Sequence, residues 1–289
     1  MSVAAAARGG GRRRWTPYLL ALPAGLWLFV FFVLPMLTLL ATSLQEGSLA
    51  EGYRLTWRVA NYTDALVDFG GQFVRSFRYA GLTTALALVI SYPLAYAIAF
   101  RSGRWKNLLL LLVIAPFFTS FLVRTLAWKI ILSDSGWVVQ TLQRVGMLAP
   151  DGRLLATTTA VIAGLVYNFL PFMTLPLYAS LEKIDGRLVE AANDLYANPF
   201  TAFWRVTWPL SLPGVVAGTL LTFIPAAGDF VNVRFLGTPS QYMIGNVIES
   251  RFLFVLDYPT AAALSFLLML TILALVMAYV RRAGTEELI

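Results

Sequence analysis

Cysteine and histidine are both absent from this 289-residue chain, and charged side chains make up only 13% of it. Without thiols or imidazoles there are no disulfides, no thiolate nucleophiles, no imidazole bases and none of the commonest zinc or haem ligands. Redox and zinc-hydrolase chemistry are set aside, and the remaining Asp, Glu, Lys, Arg, Tyr and Ser form no convincing catalytic or metal-binding cluster. The phosphate-cradling run Gly-x-x-x-x-Gly-Lys-Ser/Thr is missing too, since none of Lys106, Lys129 and Lys183 follows a glycine. If ATP drives this protein, a separate subunit must bind it.

What is present is apolar surface. Hydrophobic residues reach 58% and the mean hydropathy is +0.72, against about 45–50% apolar for ordinary soluble domains. The apolar residues fall in six runs, near 17–42, 78–100, 108–132, 154–180, 207–228 and 258–280, each long enough to cross a hydrocarbon core that needs about 20 residues. An all-α integral membrane bundle is the expected fold class. Pro171 and Pro176 interrupt the fourth run and Pro209, Pro213 and Pro225 the fifth, where bends are expected. Residues 1–16 read as a basic N-terminus before a retained first span, because the run after Arg14 is longer than a signal core. A single transmembrane domain is expected over 17–282, with 283–289 as a short tail.

Arg and Lys set the expected orientation. With the N-terminus inside, cytoplasmic segments hold twelve positive residues and the opposite side eight, and the Arg101–Lys106 turn alone has three in six residues. Both termini are therefore expected in the cytoplasm of a multi-pass membrane protein. The net charge of +7 belongs to these flanks, and no basic face suggests nucleic acid. In the long outer loop, Met243 to Leu256 places Ile244, Ile248 and Phe252 on one helical stripe, suited to the membrane surface or to packing on the bundle.

The most informative segment runs from Lys183 to Gly218, with a loop at 183–207. Leu188, Val189, Ala192, Leu195 and Tyr196 recur at helical spacing, Asp185-Gly186 offers a start and Asn198-Pro199 a break. Such a short helix is marginal alone and makes sense if another protein covers its apolar face. This segment resembles the Glu-Ala-Ala loop of bacterial ABC-importer permeases. Glu190, Ala191 and Ala192 match its beginning, Ala197, Phe203, Val206 and Pro209 its middle, and Pro213 and Gly214 its end; Leu195, between them at helical spacing, is expected in the same coupling contact. Tyr196 stands where that family usually has glycine, which permits close backbone approach that tyrosine does not.

Ala226 to Met269 also resembles the spermidine/putrescine branch of these permeases, through Gly-Asp-Phe-Val, Met-Ile-Gly-Asn and Pro-x-x-Ala-Ala-Leu-Ser. The resemblance implies a six-helix type I importer bundle with a cytoplasmic coupling helix in a bacterial inner membrane. It further implies two ATP-binding subunits carrying ATP and Mg, a second homologous permease chain, and a periplasmic or lipid-anchored solute-binding protein. No cofactor is expected in this chain itself. Permeases for other small organic cations or amino-acid-like solutes remain alternatives, as does an ion-coupled secondary transporter, although no inverted repeat is visible.

Individual residues follow from charge. Asp229, Glu249 and Tyr242 are candidates for a cation path, by carboxylate complementarity and ring attraction. Arg124, inside the third run, would repel a cation and is expected in an ion pair or gate, while Lys129 can snorkel to the interface. Gly214 and Gly218 form a small-xxx-small face for helix packing.

Overall fold

The computed structural model describes residues 16–195 and 198–283. Tyr196 and Ala197 of the expected coupling loop lie outside the described residues. The first run forms α1 (Thr16–Leu28), a π-helical turn at Phe29–Val33 and α2 (Leu34–Ser43), which together make one span. A two-stranded antiparallel hairpin follows, β1 (Gln45–Ser48) with β2 (Gly52–Leu55), pairing Gln45 with Leu55. Gly47 sits there at φ +132°, and a Cβ on it would come within 2.1 Å of the Gly52 carbonyl oxygen.

α3 (Ala60–Phe100) has 41 residues, about 60 Å of helix, so it begins well before the run expected at 78–100. Asp64, Asp68, Arg75 and Arg78 interrupt the hydropathy but not the helix. One buried stripe, Ala65, Phe73, Ser76, Ala80, Thr83 and Ala87, continues through both halves at intervals of three, four or eight residues. Packing on that stripe extends the helix past the hydrophobic signal.

The third run departs from a single straight span. α4 (Lys106–Ile114) passes into a 3-10 turn at Ala115–Phe118 and then, after Thr119 and Ser120, into α5 (Phe121–Ile131), bent by 95° from the first half. Pro116 opens the 3-10 turn and Ser120 is extended at ψ 137°. Pro116, lacking an amide hydrogen, leaves one rung of the helical ladder unmade, and the polar Thr-Ser pair that follows takes up the turn. Distances along a straight helix therefore do not place Arg124.

After α6 (Trp137–Arg144), α7 (Thr158–Glu182) forms the centre of the bundle. Two thirds of its apolar window is buried, whereas none of the first span's is. Neither Pro171 and Pro176 in α7 nor Pro213 and Pro225 in α10 (Trp208–Ala227) breaks its helix. α3 and α10 pack on α7, and Gly214 explains how closely. A Cβ there would lie 2.6 Å from Ser180 Cβ and 2.7 Å from the Pro176 carbonyl, and one on Gly218 would lie 2.8 Å from the Met173 sulfur. The small face expected on this span is the α7–α10 contact.

The remaining elements are α8 (Gly186–Asp194), α9 (Pro199–Ala202), α11 (Val231–Leu236), α12 (Ile244–Ser250) and α13 (Tyr258–Ala283). Of the stripe expected in the 243–256 loop, Ile244 is buried beside Val247, Phe73 of α3 and Leu264 of α13, and Ile248 packs partly buried on the same cluster, whereas Phe252 is exposed. Beyond α12 a π-helical turn at Arg251–Val255 leaves Phe252 to Val255 exposed and ends at Leu256, which is left-handed at φ 59°.

Candidate coupling loop and mid-membrane polar site

At the loop end of the bundle, Asp185 Oδ1 accepts the Arg187 amide hydrogen at 3.0 Å and starts α8. Asn198 Oδ1 accepts from Thr201 N–H at 2.7 Å and starts α9. These are the start and break expected from Asp185-Gly186 and Asn198-Pro199, and each side chain satisfies an amide that a helix start leaves unpaired. Glu190 and Ala191 are exposed and Ala192 is half-buried. Leu188, Leu195, Phe200 and Trp204 are also exposed, so the loop presents apolar side chains that no described residue covers.

Phe203 and Val206 lie in a π-helical turn, Phe203–Thr207, that runs directly into α10, with Pro209 in its first turn. Pro213 is half-buried and Gly214 buried further along α10. Phe203 is the anchor. Its ring meets Tyr92 of α3 edge-on at 5.5 Å and lies 6.4 Å from both Tyr96 and Trp208, while Tyr92 stacks 5.3 Å from Trp208. Tyr92 Oη and Ser211 Oγ are hydrogen-bonded at 2.7 Å with both residues buried. Sequence reasoning missed Tyr92, Tyr96 and Ser211, because a ring 111 positions away from Phe203 gives no local signal. Lys106 and Glu182 form an ion pair at the same end.

A second polar site lies deeper. Asp229 is buried just after α10 and accepts from the Asn232 backbone amide at 2.9 Å and from Asn232 Nδ2 at 3.0 Å. Asn168 Nδ2 of α7 then donates to Asn232 Oδ1 at 2.9 Å and approaches Thr125 Oγ1 of α5 at 3.4 Å. Because an ionised carboxylate only accepts, Asp229 orients Asn232, which in turn orients Asn168. The two sequence pieces Gly-Asp-Phe-Val and Met-Ile-Gly-Asn meet here. A Cβ on Gly245 would lie 2.5 Å from the Gly228 carbonyl oxygen. Asn246 Nδ2 donates to the Phe230 carbonyl, and its Oδ1 accepts from Met243 N–H.

The other path candidates are placed differently. Glu249 is ion-paired with Arg234, outside the Asp229 relay. Tyr242 packs against the Val161–Leu165 core, and its carbonyl accepts from Arg75 at 2.8 Å. Asn168, Asn232 and Asn246 had no sequence signal as site residues, since lone asparagines are common in loops and helices alike.

Arg124 is the remaining candidate. The expected ion pair is not made within the described residues: no carboxylate of theirs pairs with it. The side chain is buried between the rings of Phe117 at 5.5 Å and Phe121 at 5.7 Å, and its Nε and Nη1 have no hydrogen-bond acceptor. Ring contacts contribute about 0.5–2 kcal/mol each, whereas an uncompensated buried charge costs several kcal/mol. The rings alone do not balance the burial.

Residues 88–283 match the family described as binding-protein-dependent transport system inner membrane component. The spermidine/putrescine transport system permease protein PotB of Haemophilus influenzae is 39% identical, over 88% of this chain and 90% of that one. PotB of Escherichia coli K12 is 38% identical over 88% and 93%. The inner membrane ABC transporter permease protein YdcU of E. coli is 31% identical over 74% and 72%. Among solved structures, a crystal structure of a bacterial ABC transporter involved in importing the acidic polysaccharide alginate superposes with a TM-score of 0.69, at 20% identity, over 94% of this chain and 96% of that one. That likeness concerns the fold, and it agrees with the helical bundle and loop described above. The chain belongs to the family of binding-protein-dependent transport system inner membrane components and has the type I ABC-importer permease fold.

Proposed function

We propose that this chain is one permease subunit of an ATP-driven importer of polyamines of the spermidine/putrescine class. It moves cargo from an external binding protein to the cytoplasm by alternating access. The cargo rests on the two PotB relatives, similar over nearly nine tenths of this chain. The observation that carries the coupling is the loop from α8 through α9 to the π-helical turn, with Leu188, Leu195, Phe200 and Trp204 exposed on it and Phe203 joining it to α3 and α10. A short helix of this kind gains stability when a partner covers it.

The partner is a pair of ATP-binding subunits, which supply ATP and Mg. A second, homologous permease chain completes the pore, and a periplasmic or lipid-anchored solute-binding protein delivers the cargo. The alginate importer in complex with its cargo-bound periplasmic protein is a fold-level parallel for that docking. Both termini and the 183–207 loop lie in the cytoplasm, in keeping with the Arg and Lys distribution.

Closure of the ATPases on ATP pushes the loop carrying Glu190, Ala191, Ala192, Leu195, Tyr196 and Ala197. Phe203, Val206 and Pro209 pass that displacement into α10. Small Ala191 and Ala192 permit close seating, and Glu190 pairs with a cation on the ATPase. Along the path we place Asp229, Tyr242 and Glu249, the carboxylates for charge complementarity and the Tyr242 ring for cation–π attraction. Glu249 shares its charge with Arg234, so Asp229 has the larger role.

The test is uptake of labelled spermidine and putrescine into proteoliposomes containing this chain with its cognate permease, ATPase and binding protein. ATP-dependent uptake is the expected result. Uptake driven by an ion gradient with this chain alone would establish a secondary transporter instead, and binding-protein titrations showing no polyamine affinity would remove the cargo assignment.

A further inference from the structure

Arg124 lies level with the middle of α7, one of the helices long and apolar enough to cross a membrane. Its neighbour Thr125 is 3.4 Å from Asn168, which is fourteen residues from one end of α7 at Glu182 and ten from the other at Thr158. Those separations are about 21 and 15 Å along the helix, so neither surface is close and a lipid headgroup does not reach. The bend of 95° keeps α5 from carrying Arg124 straight out to the interface.

Among the described residues no carboxylate pairs with it. There is no Asp or Glu from 69 to 133, from 152 to 181, from 195 to 228 or from 258 to 285. The acid nearest in the polar network, Asp229, is engaged by Asn232, and Glu249 is held by Arg234. Arg124 Nε and Nη1 are buried without an acceptor. Nη2 is not among the buried unpartnered atoms, and it makes no hydrogen bond among the described residues, so it is the nitrogen left open to an acceptor from outside.

We propose that Arg124 is completed by an Asp or Glu carboxylate from the second permease chain, forming an ion pair between the two permeases near mid-membrane. This rests on the permease-pair reading given above. A carboxylate from the facing subunit supplies the charge-assisted hydrogen bond that this fold lacks. It also removes the positive potential that would repel a cationic cargo, which itself offers no acceptor to a guanidinium. Phe117 and Phe121 then act as side walls that hold the guanidinium plane for that partner.

The experiment uses the assembled complex of both permeases and the ATPases in nanodiscs. Arg124→Gln is expected to lower retention of the second permease during purification by about tenfold or more, the scale for truncating one member of a buried interfacial pair, while Arg124→Lys retains most of it. Arg124→Glu, which abolishes assembly, is expected to be rescued by second-site changes of an acidic residue to a neutral or basic one in the second permease. Unchanged retention in Arg124→Gln overturns the proposal. Rescue arising only within this chain, or retention that follows added chloride or phosphate in place of the partner's acid, overturns it as well. Retention is read without cargo, so a protein that assembles by this pair yet takes up no spermidine refutes the cargo assignment and leaves the ion pair standing.

Discussion

The two polar or aromatic junctions of this bundle are built from different forces. At the loop end, Phe203, Tyr92, Tyr96 and Trp208 meet through ring faces and edges, with a single hydrogen bond from Tyr92 to Ser211. Between the end of α10 and the middle of α7, Asp229, Asn232, Asn168 and Thr125 are joined by a directional relay. Ring contacts change little in energy when helices slide by a fraction of an ångström, whereas a buried hydrogen bond lost is costly. The loop end is therefore suited to passing on movement, and the deeper junction to holding one arrangement until it switches.

The sharpest way to break this contrast is Asp229→Ala. It orphans the Asn232 amide and Nδ2 in a buried site, and a loss of about 3 kcal/mol is expected in thermal unfolding of the detergent-solubilised complex. A variant as stable as the wild type would show that the relay is not rigid. Gly245→Ala comes next. The added Cβ would face the Gly228 carbonyl at 2.5 Å, and since backbone cannot move aside cheaply, about 1–3 kcal/mol should be lost.

Phe203→Ala should cost about 2 kcal/mol, less than a fully buried phenylalanine because the ring is half-exposed. Its diagnostic effect is on coupling: ATP hydrolysis persists while uptake per ATP falls. Equal losses of both would mean that the ring only supports the fold. Tyr92→Phe keeps the ring and removes one hydroxyl, while Ser211 retains its bond to the Trp208 carbonyl at 2.9 Å. About 1 kcal/mol is expected in a denaturation midpoint measurement. Glu190→Ala, at an exposed position, should change stability by no more than about 0.5 kcal/mol and still reduce substrate-stimulated ATP turnover. Normal turnover and normal ATPase binding would remove Glu190 from the coupling contact.

How much of this was readable differs between the two junctions. The loop was legible because its signals are local: Asp185 and Asn198 cap the helices that follow them, and Glu190-Ala191-Ala192 fall within one turn. The deeper junction was legible only as Asp229. Asn168 and Asn232 are 64 positions apart in sequence and Thr125 is 43 from Asn168, so no spacing rule connects them. The pairing of Gly245 with Gly228 was hidden for the same reason, although both lie in pieces that resemble the spermidine/putrescine permeases.

Sequence alone determined the membrane residence, the number of apolar runs, the loop helix after Asp185 and the absence of a nucleotide cradle, because each depends on residue type and short-range spacing. It did not show that α3 begins as early as Ala60 or that the third run bends by 95°. Hydropathy reports transfer from water to lipid, while helix continuation depends on the packing of one face and on backbone hydrogen bonds. Tertiary structure decided which glycines allow α10 to approach α7, how the Asp229 relay is oriented, and that Arg124 is enclosed by rings without a carboxylate from its own described residues. Those outcomes arise only when distant segments share a low-dielectric interior, where an unmatched charge or donor becomes costly.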